Sequence, residues 1–215
     1  MQNSESTQRF ERKFIMAQGQ NLNAKRALYR FGFSKGFEKR RVSSVYFDDL
    51  NFSAFRDNID GNPFRDKLRV RWYNNEYQNA SIEIKHKRNM VGYKTTIRLP
   101  NCHTENELIT RASNWVRDNV KNFIRPVSRV TYLREYLLYG EIRATVDTKV
   151  CSGRKCGTQL VASKLDNYEV IELKYNRSSD SFFRDLYCEI EPFSLRATKC
   201  SKYANSILDR SPISF

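Results

Sequence analysis

Residues 67–73, KLRVRWY, alternate between cationic and apolar side chains. The cations are Lys67, Arg69 and Arg71, and the apolar residues between them are Leu68, Val70 and Trp72. Successive side chains of a β-strand point to opposite faces, so this period of two predicts a strand with one cationic and one apolar face. What the protein does depends on whether the cationic face points into water or toward an anion.

The rest of the chain repeats this pattern and places helical patterns among the strands. Alternation predicts further strands at 8–17, 40–49, 80–90, 92–99, 127–139, 141–150 and 168–176. Helical spacing predicts helices at 21–33, 104–120, 181–190 and 194–208, and a helical turn within 50–63. Thr104 and Glu107 form a capping-box signature at one helix start, and 151–166 is predicted to be a loop. About eight strands with helices between and after them predict an α+β fold dominated by an antiparallel sheet.

The composition indicates a folded protein with an anionic partner. The 215 residues are enough for one domain with a sizeable core. Lys and Arg number 38 against 24 Asp and Glu, a net charge of +14. Such an imbalance opposes compact folding unless the charges are separated or meet an anion, which can be a nucleic acid, an anionic membrane or a small polyanion. The cations are spread along the chain, which disfavours a disordered basic arm.

Cysteine usage and hydropathy favour a cytoplasmic protein. Five cysteines without a CxxC motif, with two histidines, disfavour a zinc site and predict free thiols in a reducing compartment. The first residues lack the apolar segment of a signal peptide, and no apolar run approaches membrane-spanning length. We therefore expect cytoplasmic localisation and no direct membrane insertion.

The charged faces of the predicted strands suggest how the sheet is arranged. A flat, solvated sheet is the simplest explanation for any single strand. Such a sheet would place like charges opposite each other, which is destabilising. If the sheet closes into a barrel with the helices outside, the cations line a basic tunnel. Arg matches phosphate bidentately and Lys adds a mobile charge, so the tunnel would suit a phosphate-rich anion. Carboxylates among the cations would then be candidate ligands of a divalent ion, Glu172 first, followed by Glu83 and Glu11.

Short motifs distributed along residues 8–208 resemble those of VTC domains. In order they are RFERKF, SVYFDD, KLRVRWY, IEIKHK, GYKTT, TYLREY, IRATVDT, VIELKY and SKYANSI. VTC domains are the polyphosphate polymerase domains of the triphosphate tunnel metalloenzyme, or CYTH-like, superfamily. The resemblance implies a single domain over 1–215, built as an antiparallel eight-stranded β-barrel tunnel with a basic lumen and helices packed on the outside.

The resemblance also implies roles for individual residues. The phosphate-binding residues would be Lys13, Arg69, Arg71, Lys85, Lys94, Tyr132, Arg134, Arg143 and Lys202. Among these, the catalytic residues would be Arg69, Arg71, Arg134 and Lys202. Glu172 would hold a divalent ion, preferably Mn²⁺, or else Mg²⁺. Taken alone, Lys94 or Lys202 is an ordinary surface lysine, and Glu172 is as well explained as a salt-bridge partner.

The function that the resemblance implies is transfer of the γ-phosphate of ATP to a growing polyphosphate chain. An alternative is hydrolysis of tripolyphosphate or a nucleoside triphosphate. Hydrolases of the superfamily typically begin with an ExExK motif, and here Arg9 replaces its first glutamate while Glu11 remains. The second alternative is a non-catalytic module that binds polyphosphate or RNA. Glu172 disfavours a pure anion trap, and the aromatics form no obvious stacking platform for nucleic acid.

The expected partners are ATP and inorganic polyphosphate or triphosphate, without nucleic acid. Eukaryotic relatives act in a vacuolar membrane complex. Coupling of this chain to a membrane would therefore need another, membrane-bound subunit. The direction of the reaction in the cell, the nucleotide preference and the product length stay open.

Overall fold

A computed structural model describes residues 9–89, 91–120, 124–156, 159–176, 179, 182, 184–186, 198 and 200–208. The strands are β1 (Arg9–Ala17), β2 (Ser34–Lys35), β3 (Arg40–Asp48), β4 (Phe64–Tyr73), β5 (Glu76–Arg88), β6 (Val91–Arg98), β7 (Arg125–Tyr139), β8 (Ile142–Cys156), β9 (Gln159–Leu165) and β10 (Tyr168–Asn176). The helices are α1 (Asn21–Arg30), α2 (Ser53–Ile59), α3 (Glu105–Asn119) and α4 (Lys202–Leu208). The predicted helix at 181–190 lies largely outside the described residues.

The strands form one sheet in the order β1-β10-β8-β7-β3-β4-β5-β6, with β2 paired to β7 and β9 to β8. The ladders whose register is resolved are antiparallel. The predicted α+β class and antiparallel sheet are therefore confirmed. The main path has the eight strands that the sequence predicts, and the short strands β2 and β9 are additional.

The predicted loop at 151–166 is wrong. Strand β8 continues to Cys156, and β9 pairs back on it, with Ser152 opposite Lys164. The Ser152 hydroxyl donates to Asp166 at 2.8 Å, which fixes the base of this hairpin. Small and polar residues interrupt the alternation here, so hydrophobic periodicity cannot reveal the strands.

The predicted capping box of α3 is present in part. The Thr104 side chain accepts a hydrogen bond from the Glu107 backbone N–H at 3.2 Å. The Glu107 carboxylate accepts from the backbone N–H of His103 at 2.9 Å, one residue before the cap. The first bond satisfies an N–H group that the first helical turn leaves without an intrahelical partner, and the second ties the residue before the cap to the helix.

The described residues fall into two compact units. The first lies within Met1–Arg40, Leu133–Val150 and Asn167–Cys200, and the second within Arg41–Tyr132, Cys151–Asp166 and Ser201–Phe215. Whether the chain behaves as a single domain, as the sequence suggests, stays a prediction.

Each unit buries the apolar faces of its strands beneath a helix. In the first unit, α1 presents Ala24, Ala27 and Leu28 to a core that contains Phe14 and Leu173. In the second unit, Leu108, Ile109, Ala112 and Val116 of α3 pack with Val70, Trp72 and Ile82 of β4 and β5. The opposite faces of these strands carry the charged residues. No helix in the described part of the chain has the length and apolar character needed to span a membrane.

Candidate functional site

Charged side chains of the second unit share one face of β3, β4 and β5. The register places Tyr46 opposite Arg69, and Arg69 opposite Glu83. Arg69 donates to a single Glu83 oxygen, Oε2, from Nε at 2.8 Å and from Nη2 at 2.6 Å. Its Nη1 donates to the Tyr46 hydroxyl at 3.2 Å. Arg69 is thereby held in one position on the sheet.

Arg71 lies deeper, with 8% of its surface exposed. Its Nε donates to the Ser44 hydroxyl and its Nη2 to the Tyr132 hydroxyl, both at 3.1 Å. The Lys202 ammonium lies 4.7 Å from the centre of the Tyr132 ring, a cation–π contact. Three of the predicted phosphate-binding residues, Arg71, Tyr132 and Lys202, are therefore in one connected cluster.

Glu83 is the counterion of this cluster. Its second oxygen accepts from Lys94 at 2.8 Å, and Arg71 Nη1 lies 3.8 Å from Oε2. Burial acts to raise the pKa of Glu83, but the charges of Arg69 and Arg71 outweigh it and lower the pKa to about 2. Both oxygens of Glu83 are engaged by cations, and the role as a secondary metal ligand that the sequence suggests stays a prediction. One carboxylate faces three cations, so the cluster keeps an excess of positive charge.

Tyr46 belongs to this cluster, although sequence reasoning missed it. Burial acts to raise its pKa, while the charges of Arg69 and Arg71 outweigh that effect and lower it. The ring stacks on Tyr203 of α4, with centroids 4.9 Å apart. The available signal was period-two parity within SVYFDD, because Ser44, Tyr46 and Asp48 share a face.

Lysines lie next to each other across three adjacent strands of the second unit. Lys67 of β4 is opposite Lys85 of β5, which is opposite Lys94 of β6. Lys67 Nζ donates to Asn58 Oδ1 at 2.6 Å. Like charges in directly opposite positions are destabilising, so this row favours an anion bound across it.

In the first unit, two carboxylates and two lysines alternate on one face of β1 and β10. We name this group, which consists of Glu11, Lys13, Glu172 and Lys174, the carboxylate–lysine quartet. Glu11 is opposite Lys174, and Lys13 is opposite Glu172. Lys13 Nζ lies 2.7 Å from Glu11 and 4.0 Å from Glu172. Lys174 Nζ lies 3.3 Å from Glu11 and 2.9 Å from Glu172. Each lysine is thus shared by both carboxylates.

Glu172 is ionised at neutral pH in this setting. Burial and the charge of Glu11 act to raise its pKa. The cations Lys174, Lys13 and Arg134 outweigh both, so the pKa of Glu172 lies below its ordinary value. The salt-bridge explanation of Glu172 is therefore correct for its contacts, while a role as a metal ligand remains a prediction.

Strands β7 and β8 add Arg134 and Arg143 to the same unit. Arg134 makes a bidentate ion pair with Asp147, with nitrogen–oxygen distances of 2.6 and 2.7 Å. Arg143 is exposed and lies opposite Lys174. Between Arg143 and Asp147 on this face is Thr145, whose buried hydroxyl makes no hydrogen bond within the described part of the chain.

The residues around Glu172 fit a hard divalent cation. Thr145 is directly opposite Glu172 in the β8–β10 ladder. An ionised carboxylate and a hydroxyl with unused lone pairs are oxygen ligands of the kind that Mn²⁺ and Mg²⁺ prefer. The described residues contain no group of three His, Cys, Asp or Glu side chains suited to a metal ion. Water and substrate phosphates would therefore complete the coordination.

The predicted site residues divide between the two units. The second contains Arg69, Arg71, Lys85, Lys94, Tyr132 and Lys202, and the first contains Lys13, Arg134, Arg143 and Glu172. His86, for which no catalytic role is predicted, lies on the opposite face of β5, with its ring nitrogens 2.9 Å from Asp66 and 3.2 Å from Thr95. Cys102 and Cys151 are free thiols, as predicted.

Comparison with known proteins gives one family and one fold. The family model of the VTC domain matches residues 8–209. No curated protein sequence matches the chain.

Three solved structures resemble the chain. A Hippeastrum protein, described as an adenylyl cyclase candidate with a dominant triphosphatase activity, is 12% identical, with a TM-score of 0.57 over 96% of this chain and 99% of its own. A Vibrio parahaemolyticus protein described as an adenylate cyclase candidate is 14% identical, with a TM-score of 0.55 over 92% and 97%. A Pyrococcus horikoshii protein is 16% identical, with a TM-score of 0.52 over 88% and 92%. At these identities the likeness establishes a shared fold.

Proposed function

The chain belongs to the VTC-domain family, and from this membership we propose that it is a polyphosphate polymerase. It transfers the γ-phosphate of ATP to the end of a growing polyphosphate chain. The observation that carries the proposal is the excess of cations around Glu83, where Arg69, Arg71 and Lys94 share one carboxylate. Such a cluster favours an anion that offers several oxygens, as a triphosphate does.

Phosphoryl transfer needs positioning and charge stabilisation more than covalent chemistry. Arg69 and Arg71 are held by hydrogen bonds to Tyr46, Ser44 and Tyr132 before any substrate arrives. Their donors would therefore reorganise little as charge develops on the transferred phosphate oxygens. Lys202, beside Tyr132, and the exposed Lys85 would neutralise further phosphate oxygens.

In the first unit, Lys13, Arg134 and Arg143 are the proposed phosphate-binding residues, and Glu172 is the proposed metal ligand. A bound Mn²⁺ or Mg²⁺ would supply Lewis-acid neutralisation of phosphate oxygens. Glu172 is ionised, as a ligand of such an ion must be.

The proposed substrates are ATP and inorganic polyphosphate or triphosphate, and the proposed location is the cytoplasm. Coupling to a membrane would need a separate, membrane-bound subunit.

Hydrolysis of tripolyphosphate is the second candidate function. It is favoured by Glu11, which lies on the same face as Glu172 and shares Lys13 and Lys174 with it. A second carboxylate close to the metal ligand would help to orient an attacking water. Arg9 in place of the first glutamate of the hydrolase motif favours transfer instead.

The deciding experiment incubates the purified chain with ATP and Mn²⁺ and measures both polyphosphate and free phosphate. The test variant is the double substitution Arg69→Ala, Arg71→Ala. Arg117→Ala is the matched control, because Arg117 is exposed on α3 beside Asp118. We expect polyphosphate from wild type and control, and a loss of about a thousandfold or more in the double variant.

The other outcomes separate the alternatives. Free phosphate without polyphosphate supports the hydrolase. Binding of polyphosphate without any turnover, with or without metal, contradicts both enzymatic functions and leaves a binding module.

A further inference from the structure

Within the described part of the chain, the buried hydroxyl of Thr145 in the first unit has no hydrogen-bond partner. The residue is 3% exposed. Its Oγ1 makes no hydrogen bond to any part of the chain that the structure describes. Leaving a buried hydroxyl without a partner is costly, and native proteins rarely do so without a reason such as a ligand or an ordered water.

The neighbours of Thr145 on the charged face either have their oxygens occupied by hydrogen bonds or carry a charge. Two residues along β8, Asp147 has both carboxylate oxygens engaged by Arg134. Arg143, a cation, lies two residues away in the other direction. Directly across the ladder to β10 is Glu172. The hydroxyl is therefore placed beside an ionised carboxylate and does not bond to it.

A cation satisfies both groups at once. A phosphate oxygen at Thr145 would be repelled by the charge of Glu172, whereas a divalent ion can accept lone pairs from both. Threonine and serine hydroxyls serve as ligands of Mg²⁺ in other phosphoryl-transfer proteins. We propose that Thr145 Oγ1 is a direct ligand, together with the Glu172 carboxylate, of the divalent ion. The inference rests on the proposed function for the identity of that ion.

The carboxylate–lysine quartet explains how Glu172 could bind a cation although two lysines already contact its carboxylate. Lys13 and Lys174 each also contact Glu11, at 2.7 and 3.3 Å. When an ion occupies Glu172, both lysines keep an ion pair by turning toward Glu11. Glu11 thus acts through the lysines and is a positioning residue in this scheme.

The test measures Mn²⁺ binding directly, by titration calorimetry of the purified chain with and without tripolyphosphate. The variants are Thr145→Val, which keeps the shape and removes the hydroxyl, Thr145→Ser, which restores a hydroxyl, and Glu172→Gln. We expect Thr145→Val to weaken Mn²⁺ binding on the order of tenfold or more, Glu172→Gln to abolish it, and Thr145→Ser to stay close to wild type. The thermal unfolding temperature of metal-free Thr145→Val should equal or exceed that of wild type, because a methyl group replaces an unsatisfied hydroxyl.

Three results would overturn the inference. The first is Mn²⁺ binding by Thr145→Val that is as tight as in wild type. The second is a loss in Thr145→Ser as large as in Thr145→Val, which indicates a packing role. The third is the absence of Mn²⁺ binding by wild type both with and without tripolyphosphate. If instead Mn²⁺ binding depends on Thr145 but ATP yields no polyphosphate, the proposed function fails and the inference stands.

Discussion

At the residue scale, Arg71 makes several directional contacts that a positive charge alone would not require. The guanidinium uses Nε for Ser44 and Nη2 for Tyr132, while Nη1 is directed toward Glu83. A planar fork with fixed donors suits such divergent partners, and the compact ammonium group of lysine does not. A substitution that keeps the positive charge but loses the guanidinium should therefore disrupt these contacts.

We predict that Arg71→Lys lowers kcat/KM for phosphate transfer by about a hundredfold, because the remaining ammonium cannot replace the oriented donors. Steady-state kinetics with ATP and Mn²⁺ would measure this, beside Arg117→Lys as a surface control. Equal activity of the two variants would show that only the charge of Arg71 matters.

Glu83 makes stability depend on pH. Its pKa is lowered from 4.5 to about 2 in the folded protein. A carboxyl with a depressed folded pKa contributes stability above the unfolded pKa and loses that contribution as the pH falls. The stabilising effect of Glu83 should therefore disappear between about pH 4.5 and pH 2.

We predict that Glu83→Gln lowers the free energy of unfolding near neutral pH by up to about 3 kcal/mol, and that this difference from wild type shrinks toward pH 2. Urea unfolding at a series of pH values measures it. Glu76→Gln, a change at an exposed residue at the start of β5, is the surface control. A difference for Glu83→Gln that is constant with pH would contradict the prediction.

At the scale of elements, strand β3 and helices α2 and α4 are joined through Asp48. Its carboxylate accepts from the backbone N–H groups of Ala54 and Phe55 in the first turn of α2, each at 3.0 Å. It also accepts a hydrogen bond from the Tyr203 hydroxyl of α4. The pKa of Tyr203 is raised by burial and by this bond to Asp48, so the phenol keeps the proton that it donates.

We predict that Tyr203→Phe lowers the free energy of unfolding by about 1–3 kcal/mol, because it removes a hydrogen bond to a charged acceptor. The ring that stacks on Tyr46 is retained in this variant, so activity should fall much less than in Arg71→Lys. Chemical denaturation and steady-state kinetics of the same preparation would test both parts. Tyr29→Phe, at an exposed position of α1, is the control.

At the scale of the whole molecule, the protein has a net charge of +14. We therefore expect its stability to increase when a polyanion binds. A ligand that binds only the folded state stabilises it by RT ln(1 + c/Kd), where c is the free ligand concentration, so the stabilisation increases with the logarithm of the affinity. Salt weakens binding of a polyanion by competing for the cations and by screening.

We predict that tripolyphosphate raises the thermal unfolding temperature strongly at low ionic strength and much less at high ionic strength. Differential scanning fluorimetry over a salt series would measure this effect. The Arg69→Ala, Arg71→Ala variant should show a smaller shift than Arg117→Ala at every salt concentration. An equal shift in both would place the main anion-binding surface elsewhere.

Much of the fold follows from local patterns. Alternation within KLRVRWY determines which side chains of β4 share a face, and the capping box determines where α3 begins. Both depend on neighbouring residues alone. The order of the motifs identified the family, and the matched residues, 8–209, agree closely with the predicted range.

The sequence by itself determined the faces of the strands, the antiparallel α+β class and the excess of cations. Only the tertiary structure decided that Glu83 forms ion pairs with Arg69 and Lys94, and that Tyr46 joins them. It also decided that Thr145 lies opposite Glu172 with no hydrogen-bond partner among the described residues. The physical reason is that parity sets the face of a residue, whereas its partner depends on the register between strands. Thr145 and Glu172 are 27 positions apart in the chain, and no local pattern carries that register.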